Sequence, residues 1–505
     1  MVRFLRLNRN VFITTFAILL IFVWSFQQFE PQVTVSILLS GLTLGALYFL
    51  VTSGLSLIFG MMNVLNFAHG VLFMFGAYIG YTLYANPLLL INILPFICVV
   101  VGGILVSSWV LRRWSVQISS ERAAQMLVMS CWIGAGILLF LGVRGFDLTA
   151  LSVGAATAGG GAIATEEALE SVDDYAIRLI LLTTAGLIIG VTHGIRPLHA
   201  INQQVRWRPL VLGATIILIG FALLPFRTSV EQSILGMSSN WRFVLALTVG
   251  ALSGAAVGAL IEWSLIRPLY DRPIYQILVT LGLVFAGTEL VTGVWGPAEY
   301  FMETPAFFNQ RGENCPSANL VAWFRDNCAS IDVLGQPFPS YRLFLIALGM
   351  IIFIAIGLVL QRTHLGMIIR AGVQDGEMVQ ALGVNVRQVF TLVFAMGTGL
   401  AALGGVAAAP FIGVNPNTGQ EFLLHAFIAM VIGGMGSYVG AAAGALLVGM
   451  ARAFGDQLVL SGIHLPGMAE AIQMSPSIAR ASTVLIMVLV LLVRPTGLFG
   501  KRING

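Results

Sequence analysis

Apolar runs of membrane-crossing length recur from one end of this chain to the other, and no other feature restricts its fold so tightly. A helix needs about 20 apolar residues to cross the hydrocarbon layer. The candidate runs are 11–29, 33–59, 62–84, 88–111, 124–143, 176–196, 208–226, 241–266, 275–296, 342–360, 388–410, 421–434, 436–452 and 481–493, several of them short. Hydrocarbon permits only helices and closed barrels, because a spanning backbone must satisfy its own polar groups. The expected fold class is therefore all-α, a polytopic transmembrane helical bundle of about 12–14 membrane segments, some broken or re-entrant. Composition agrees: 58% of residues are hydrophobic and 10% charged, against about 25% charged in soluble domains, and mean hydropathy is +0.92.

A net charge of +4, thinly scattered, does not make a nucleic-acid surface. The basic residues instead gather at the ends of apolar runs, where they orient the chain. Alternating the spans from a cytoplasmic N-terminus places Arg112 with Arg113, Arg196 with Arg206 and Arg208, Arg267 with Arg272, Arg362 with Arg370 and Arg387, and Arg494 with Lys501 and Arg502 all inside. It sends the acidic stretch Glu166, Glu167, Glu170, Asp173, Asp174 and the long 297–341 segment outside, with both termini cytoplasmic. Arg3, Arg6 and Arg9 ahead of apolar residues 11–25 imitate a secretory signal. Residues 27–31 offer no small-x-small cleavage site, so 11–29 reads as a retained span. The glycine-rich stretch 148–164 reads as an external loop or re-entrant piece.

Two interruptions stand out. Ser53-Gly-Leu-Ser-Leu-Ile-Phe-Gly60 followed by Asn63, Asn66, His69 and Gly70 breaks what would otherwise be one apolar run from 33 to 84. Irregular chain at membrane depth must be buried in protein or line a watery path, as in the broken helices of transporters. The alternative is that the Asn and His side chains satisfy one another and the freed backbone. A similar break falls at Gly433-Gly434-Met435-Gly436-Ser437, and matched pentads follow each: Gly76-Ala-Tyr-Ile-Gly80 and Gly436-Ser-Tyr-Val-Gly440. Glycines spaced by four there and at Gly250, Gly254 and Gly258 equally suit close helix packing. A polar island, 370–387, lies between the runs 342–360 and 388–410 and reads as a short amphipathic helix at the membrane face, a handle for a soluble partner.

Cys98 and Cys131 fall within spans, where free thiols are packing residues. Cys315 and Cys328 share the external segment, where an oxidising compartment would permit a bridge; two independent thiols are the other reading. No His lies near enough to make a zinc site with them, and no metal or other cofactor is expected. Phosphate-loop, metalloprotease and nucleophile-elbow motifs are lacking, so the chain carries no visible machinery for hydrolysis. Ionisable candidates inside the membrane are Glu262, Glu289, His69 and His425, a thin set for a proton relay.

Gly54-Leu-Ser-Leu-Ile-Phe-Gly60 with Asn66-Phe-Ala-His69-Gly70 and Ala77-Tyr78 closely resembles the signature of permease subunits of branched-chain amino acid ABC transporters, the LivH-type group, whose close relatives include urea and amide permeases. The resemblance continues through Arg267-Pro268-Leu269, Thr280-Leu281-Gly282, Arg362-Thr-His-Leu-Gly366, Arg370-Ala371, Ala381-Leu-Gly383-Val-Asn385, Gly433 to Ser437, and Arg494-Pro495-Thr-Gly497-Leu-Phe-Gly500. It covers roughly 33–90 and 241–502, leaving 91–240 as an insertion of extra spans. The domains expected are 1–90 with the broken helix, 91–240, and a permease core over 241–505.

What the resemblance implies is a non-catalytic subunit of the bacterial inner membrane. It would pair with a second, similar permease and two cytosolic ATP-binding subunits, and take solute from an extracytoplasmic binding protein. By the same likeness Arg370, Asp375, Glu377, Met378, Leu382, Gly383 and Arg387 belong to a coupling helix docked on the ATPase, with Val379 also on its apolar face. Asn63, Asn66, His69, Gly70, Gly433, Gly434, Gly436 and Ser437 belong to the solute path. Branched-chain or other neutral amino acids are the first expectation for cargo, urea or short amides the second. An ion-coupled secondary transporter and a transport-silent scaffold are the rivals.

Overall fold

The computed structural model describes residues 30–113, 121–144, 146, 172–194, 207–312, 315–374, 376–462, 475–494 and 497–499. Apart from loops and one short hairpin, the described residues are mostly helical. Among them nine helices are long and apolar enough to cross a membrane, or ten if a bent pair counts as one span. The polytopic all-α bundle is what the apolar runs build. The expected first span 11–29, the 148–164 stretch and most of the acidic loop lie outside the described residues.

In chain order, α1 (Pro31–Met62) and α2 (His69–Ala85) come first. α3 (Pro87–Arg113), α4 (Glu121–Val143), α5 (Val172–Gly194), α6 (Arg208–Ala222) and α7 (Arg227–Leu235) follow. α8 (Ser239–Ile261) runs into a π-helical turn (Glu262–Ile266) and a 3-10 turn (Arg267–Leu269), then α9 (Pro273–Trp295). A segment with α10 (Leu320–Asp326), β1 (Ser330–Val333) and β2 (Gln336–Pro339) leads to α11 (Ser340–Arg362), α12 (His364–Gln374), α13 (Gly376–Ala381), α14 (Val386–Ile412), α15 (Thr418–Gly433), α16 (Tyr438–Ser461) and α17 (Pro476–Val493). The chain divides into two compact units, one of Thr82–Ser238 with Val294–Gly296, the other holding the remainder.

In the larger unit α1 is apolar on every side, and from Leu47 to Ile58 each of its residues is buried, as a helix without a polar face must be. Small residues let its neighbours approach to backbone contact. Gly54 lies against Gly397 of α14, Gly45 against Ala445 and Leu446 of α16, and Gly250, Gly254 and Gly258 of α8 against Val406, Ala402 and Thr398 of α14. The glycine spacings noted in the sequence thus serve packing. In α11 the exposed Met350, Ile351, Ile354 and Leu358 are the surface a lipid solvent wants.

The segment between α9 and α11 is a small fold of its own. Cys315 and Cys328 are joined sulfur to sulfur, β1 pairs antiparallel with β2, and Phe307, Phe308, Trp323 and Phe324 stack around them.

The smaller unit packs Phe96 and Val99 of α3 against Tyr175, Leu179 and Leu182 of α5 and Leu224. Here the structure corrects the span read over 208–226. α6 ends at Ala222 in a four-residue turn, 223–226, that contains Pro225, whose missing N–H cannot continue the helix ladder, and α7 leaves at 79°.

Candidate functional site

α1 ends where the sequence turns polar. Asn63 takes the left-handed conformation at φ 53° and its N–H returns to the Phe59 carbonyl at 2.9 Å, closing the helix. Residues 63–68 then run without helical structure into α2. His69 Nε2 lies 3.0 Å from the Val51 carbonyl, well inside α1. A carbonyl only accepts, so Nε2 carries the proton and Nδ1 is left as an acceptor. That Nδ1, both amide atoms of Asn66 and the Ser56 hydroxyl are buried without a hydrogen-bond partner. Asn66 is 2% exposed and His69 fully buried, whereas Asn63 is exposed. The reading in which these side chains satisfy one another does not hold at Asn66. Gly70 sits against Gly419 of α15.

The second break meets the first. α15 stops at Gly433, Gly434 adopts φ +99° and Gly436 φ +79°, and a Cβ on Gly436 would stand 3.0 Å from the Cα of Gly60. Ser437 caps α16, its hydroxyl accepting from the Gly440 N–H at 3.1 Å. The carbonyls freed at the end of α15 are taken by the chain beyond α17: Leu498 N–H donates to Ile432 at 2.9 Å and Phe499 N–H to Gly433 at 3.0 Å. Gly433 and Gly434 are therefore buried, with only Gly436 and its neighbour Met435 exposed. The matched pentads are not equivalent in place: Tyr78 lies within α2, whereas Tyr438 opens α16 and donates to the Phe353 carbonyl at 2.9 Å.

The polar island 370–387 is not one helix. α12 begins earlier, at His364, where the Thr363 hydroxyl accepts the Gly366 N–H at 3.1 Å. α13 follows, Gly383 turns the chain at φ +83°, and the Asn385 side chain caps α14 by accepting from Gln388 at 3.3 Å. Arg370 thus belongs to α12 and Arg387 to the first turn of α14, both exposed. Asp375 lies outside the described residues, and Glu377 is placed only as a position in α13. Val379 is 5% exposed and turns inward, leaving Met378 (59%) and Leu382 (76%) as the outward apolar pair. Ile369 on the inner face packs with Leu57 and Met61 of α1, Ile356 of α11 and Val393 of α14. α12, which leads into the island, therefore bears directly on the end of α1, next to the break.

Glu262, one of the intramembrane carboxylates, is fully buried and fully engaged. Arg267 Nη2 bridges it at 3.1 Å, the Thr391 hydroxyl donates to it at 2.6 Å, and Tyr270 OH donates to its other oxygen. Burial, then that hydrogen bond, holds the Tyr270 phenol well above its usual pKa. Sequence reasoning missed the cluster because Thr391 is remote along the chain, although the Arg267-Pro268-Leu269 motif marked its edge. The other candidates do not join it. Glu289 is exposed on α9, and His425 returns its Nδ1 to the Glu421 carbonyl at 2.8 Å and stacks on Tyr48. Among the described residues no three His, Cys, Asp or Glu side chains assemble as a metal site.

Residues 209–493 match the family model described as "Branched-chain amino acid transport system / permease component". The chain is 30% identical over 270 residues to the high-affinity branched-chain amino acid transport system permease protein LivH of Escherichia coli, covering 53% of this chain and 78% of that one. It is 35% identical over 159 residues to the corresponding permease protein BraD of Pseudomonas aeruginosa, covering 31% and 45%. The ribose import permease protein RbsC of Escherichia coli is 26% identical over 280 residues, covering 53% and 74%. No solved structure matches.

Proposed function

Because the chain belongs to the family of branched-chain amino acid transport permease components, we propose that it is the membrane subunit of an ATP-binding-cassette importer that moves neutral amino acids, branched-chain ones first, inward across the bacterial inner membrane. It catalyses no covalent step. ATP is hydrolysed by two cytosolic partner subunits, a second permease of similar type completes the pore, and an extracytoplasmic binding protein delivers solute. Both termini lie in the cytoplasm.

One observation carries this reading: α13 and the turn after it present an outward apolar pair, Met378 and Leu382, while α12, directly before α13, packs through Ile369 onto the end of α1, next to the chain break at Asn63. A push on that segment from a docked ATPase reaches the break through close-packed side chains, which transmit strain rather than absorb it. Arg370, Asp375, Glu377, Gly383 and Arg387 complete the docking segment. Asn63, Asn66, His69, Gly70, Gly433, Gly434, Gly436 and Ser437 line or shape the path. The unpaired amide of Asn66 supports this assignment, since a buried polar group without a partner costs about 1–3 kcal/mol and needs a reason. Residues 1–90 and 241–505 form the permease proper, with 91–240 inserted, a division that the compact unit at 82–238 supports.

Cargo chemistry is the open variable, since RbsC-like relatives carry "ribose" in their name and urea or short amides remain the runner-up from sequence likeness. Uptake into proteoliposomes holding the whole complex, with labelled leucine as tracer and alanine, urea and ribose as competitors, decides it. Competition by alanine and not by urea or ribose is the expected result; urea displacing leucine would reassign the cargo.

A further inference from the structure

Where α8 loosens into the π-helical turn, Glu262 is held from three directions. Arg267 Nη2 donates to the Thr391 hydroxyl at 2.5 Å, and that hydroxyl donates on to Glu262 at 2.6 Å. The same guanidinium bonds the carboxylate directly at 3.1 Å and touches the Arg387 carbonyl at 3.5 Å. Tyr270 closes the ring of bonds from the other side and sets its own ring edge-on to Phe390, centroids 5.4 Å apart. Arg387 and Thr391 occupy the first turns of α14, at and just beyond the end of the island and its Asn385 cap. The turn also carries Ile266, which packs with Val64 in the break, Ile58 of α1 and Phe394 of α14.

The two halves of this junction have different physical characters. The carboxylate cluster is directional: each bond has one geometry, and a buried charge that loses a partner is expensive. The Ile266 cluster is close-packed and moves as a block. π-turns concentrate at functional sites because they let a helix bend without unwinding. A structural anchor needs no such turn, and an anchor placed to stabilise α8 against α14 would do as well in the middle of their long glycine-lined contact. Its position at the exit of the island sets it apart.

We propose that Thr391, acting through Glu262 and with Tyr270, is the positioning residue that makes the Asn66 break follow the movement of residues 364–385. This rests on the permease reading above. When the island moves, the base of α14 carries Thr391 with it; the hydroxyl drags the Glu262 turn, and Ile266 passes the displacement to Val64 and so to Asn66. Loss of the Thr391 hydroxyl, which also lies 3.0 Å from the Arg387 carbonyl, leaves the packing in place but removes the only hydrogen bond α14 makes to the Glu262 carboxylate among the described residues, weakening the link from the island to the turn.

The test uses the full complex in proteoliposomes, with Cys98→Ser and Cys131→Ser in the chain and Leu65→Cys, next to Asn66 in the same break, as a reporter, its labelling rate by a maleimide measured with and without ATP. In this parent, ATP changes the rate. Thr391→Val is expected to shrink that ATP-dependent change by roughly fivefold or more, the size of an ordinary coupling effect, Tyr270→Phe to do the same, and Thr391→Ser to restore it, at equal yield and melting temperature of the assembled complex. A merely structural role lowers yield or melting temperature and leaves the ATP response of assembled complexes intact, which overturns the inference. A parent that ignores ATP overturns the permease reading itself, whereas a responding parent with equally responding variants sinks only the role given to Thr391.

Discussion

Gly54 and Gly397 meet backbone to backbone, and a Cβ on Gly54 would collide with the Gly397 carbonyl. Gly54→Ala should therefore destabilise the chain by about 1–3 kcal/mol, the ordinary range for overpacking. Gly282 on α9 has nothing within 4 Å of such a Cβ, so Gly282→Ala should stabilise by up to about 1 kcal/mol by removing backbone freedom. Thermal unfolding of the two variants in the same detergent separates them, and equal shifts would argue against the close contact. Asn66→Ala removes an amide that bonds nothing in the protein. It should leave the melting temperature within a degree or two while cutting uptake, whereas a structural asparagine would show the opposite balance. Residue by residue, the sequence was readable where chemistry is local. Asn63, Asn66 and His69 announced the break by being polar in an apolar run. The Glu262 cluster was not readable, because its meaning depends on Thr391, which only the packing of α8 on α14 brings near.

Helix boundaries followed the apolar runs closely, since the membrane sets their length: the runs 88–111, 275–296 and 342–360 became α3, α9 and α11 with ends shifted by only a few residues. Among the departures from the runs, two have physical reasons that periodicity does not carry. The turn at 223–226 ended the helix of the 208–226 run at Ala222, and the Thr363 cap started α12 before the polar island began. Capping is a backbone event, and the Thr-x-x-Gly pattern around it was visible but submerged in the end of a span. At this scale the island makes a direct prediction. Leu382 is 76% exposed, so Leu382→Asp should change stability by no more than about 0.5 kcal/mol and yet abolish co-purification of the ATPase subunits; retention of those subunits would remove the docking role. In the segment between α9 and α11, the bond closing a separation of 13 residues should stabilise by about 3 kcal/mol in the chain-entropy model. Cys315→Ser with Cys328→Ser is expected to make that segment the first cut by protease, with the intact bundle as the control.

For the molecule as a whole, the proposed function takes the apolar bundle, its polar break, the glycine break pressed against it and the α12 contact on α1 as parts that alternate between two packings rather than hold a solute tightly. No motor is visible in the sequence, so the account stands on residues 364–385 being driven from outside the chain. Orientation enters here as well: on the proposed topology, in which the basic ends face inward, 364–385 lies in the cytoplasm, where an ATPase could reach it. The most direct measurement is uptake of labelled leucine by proteoliposomes containing the permease pair and its binding protein, with and without the ATP-binding subunits and enclosed ATP. Accumulation only when both are present is the predicted result; leucine gathered against its gradient by the permeases alone, driven by an imposed proton or sodium gradient, would contradict the account.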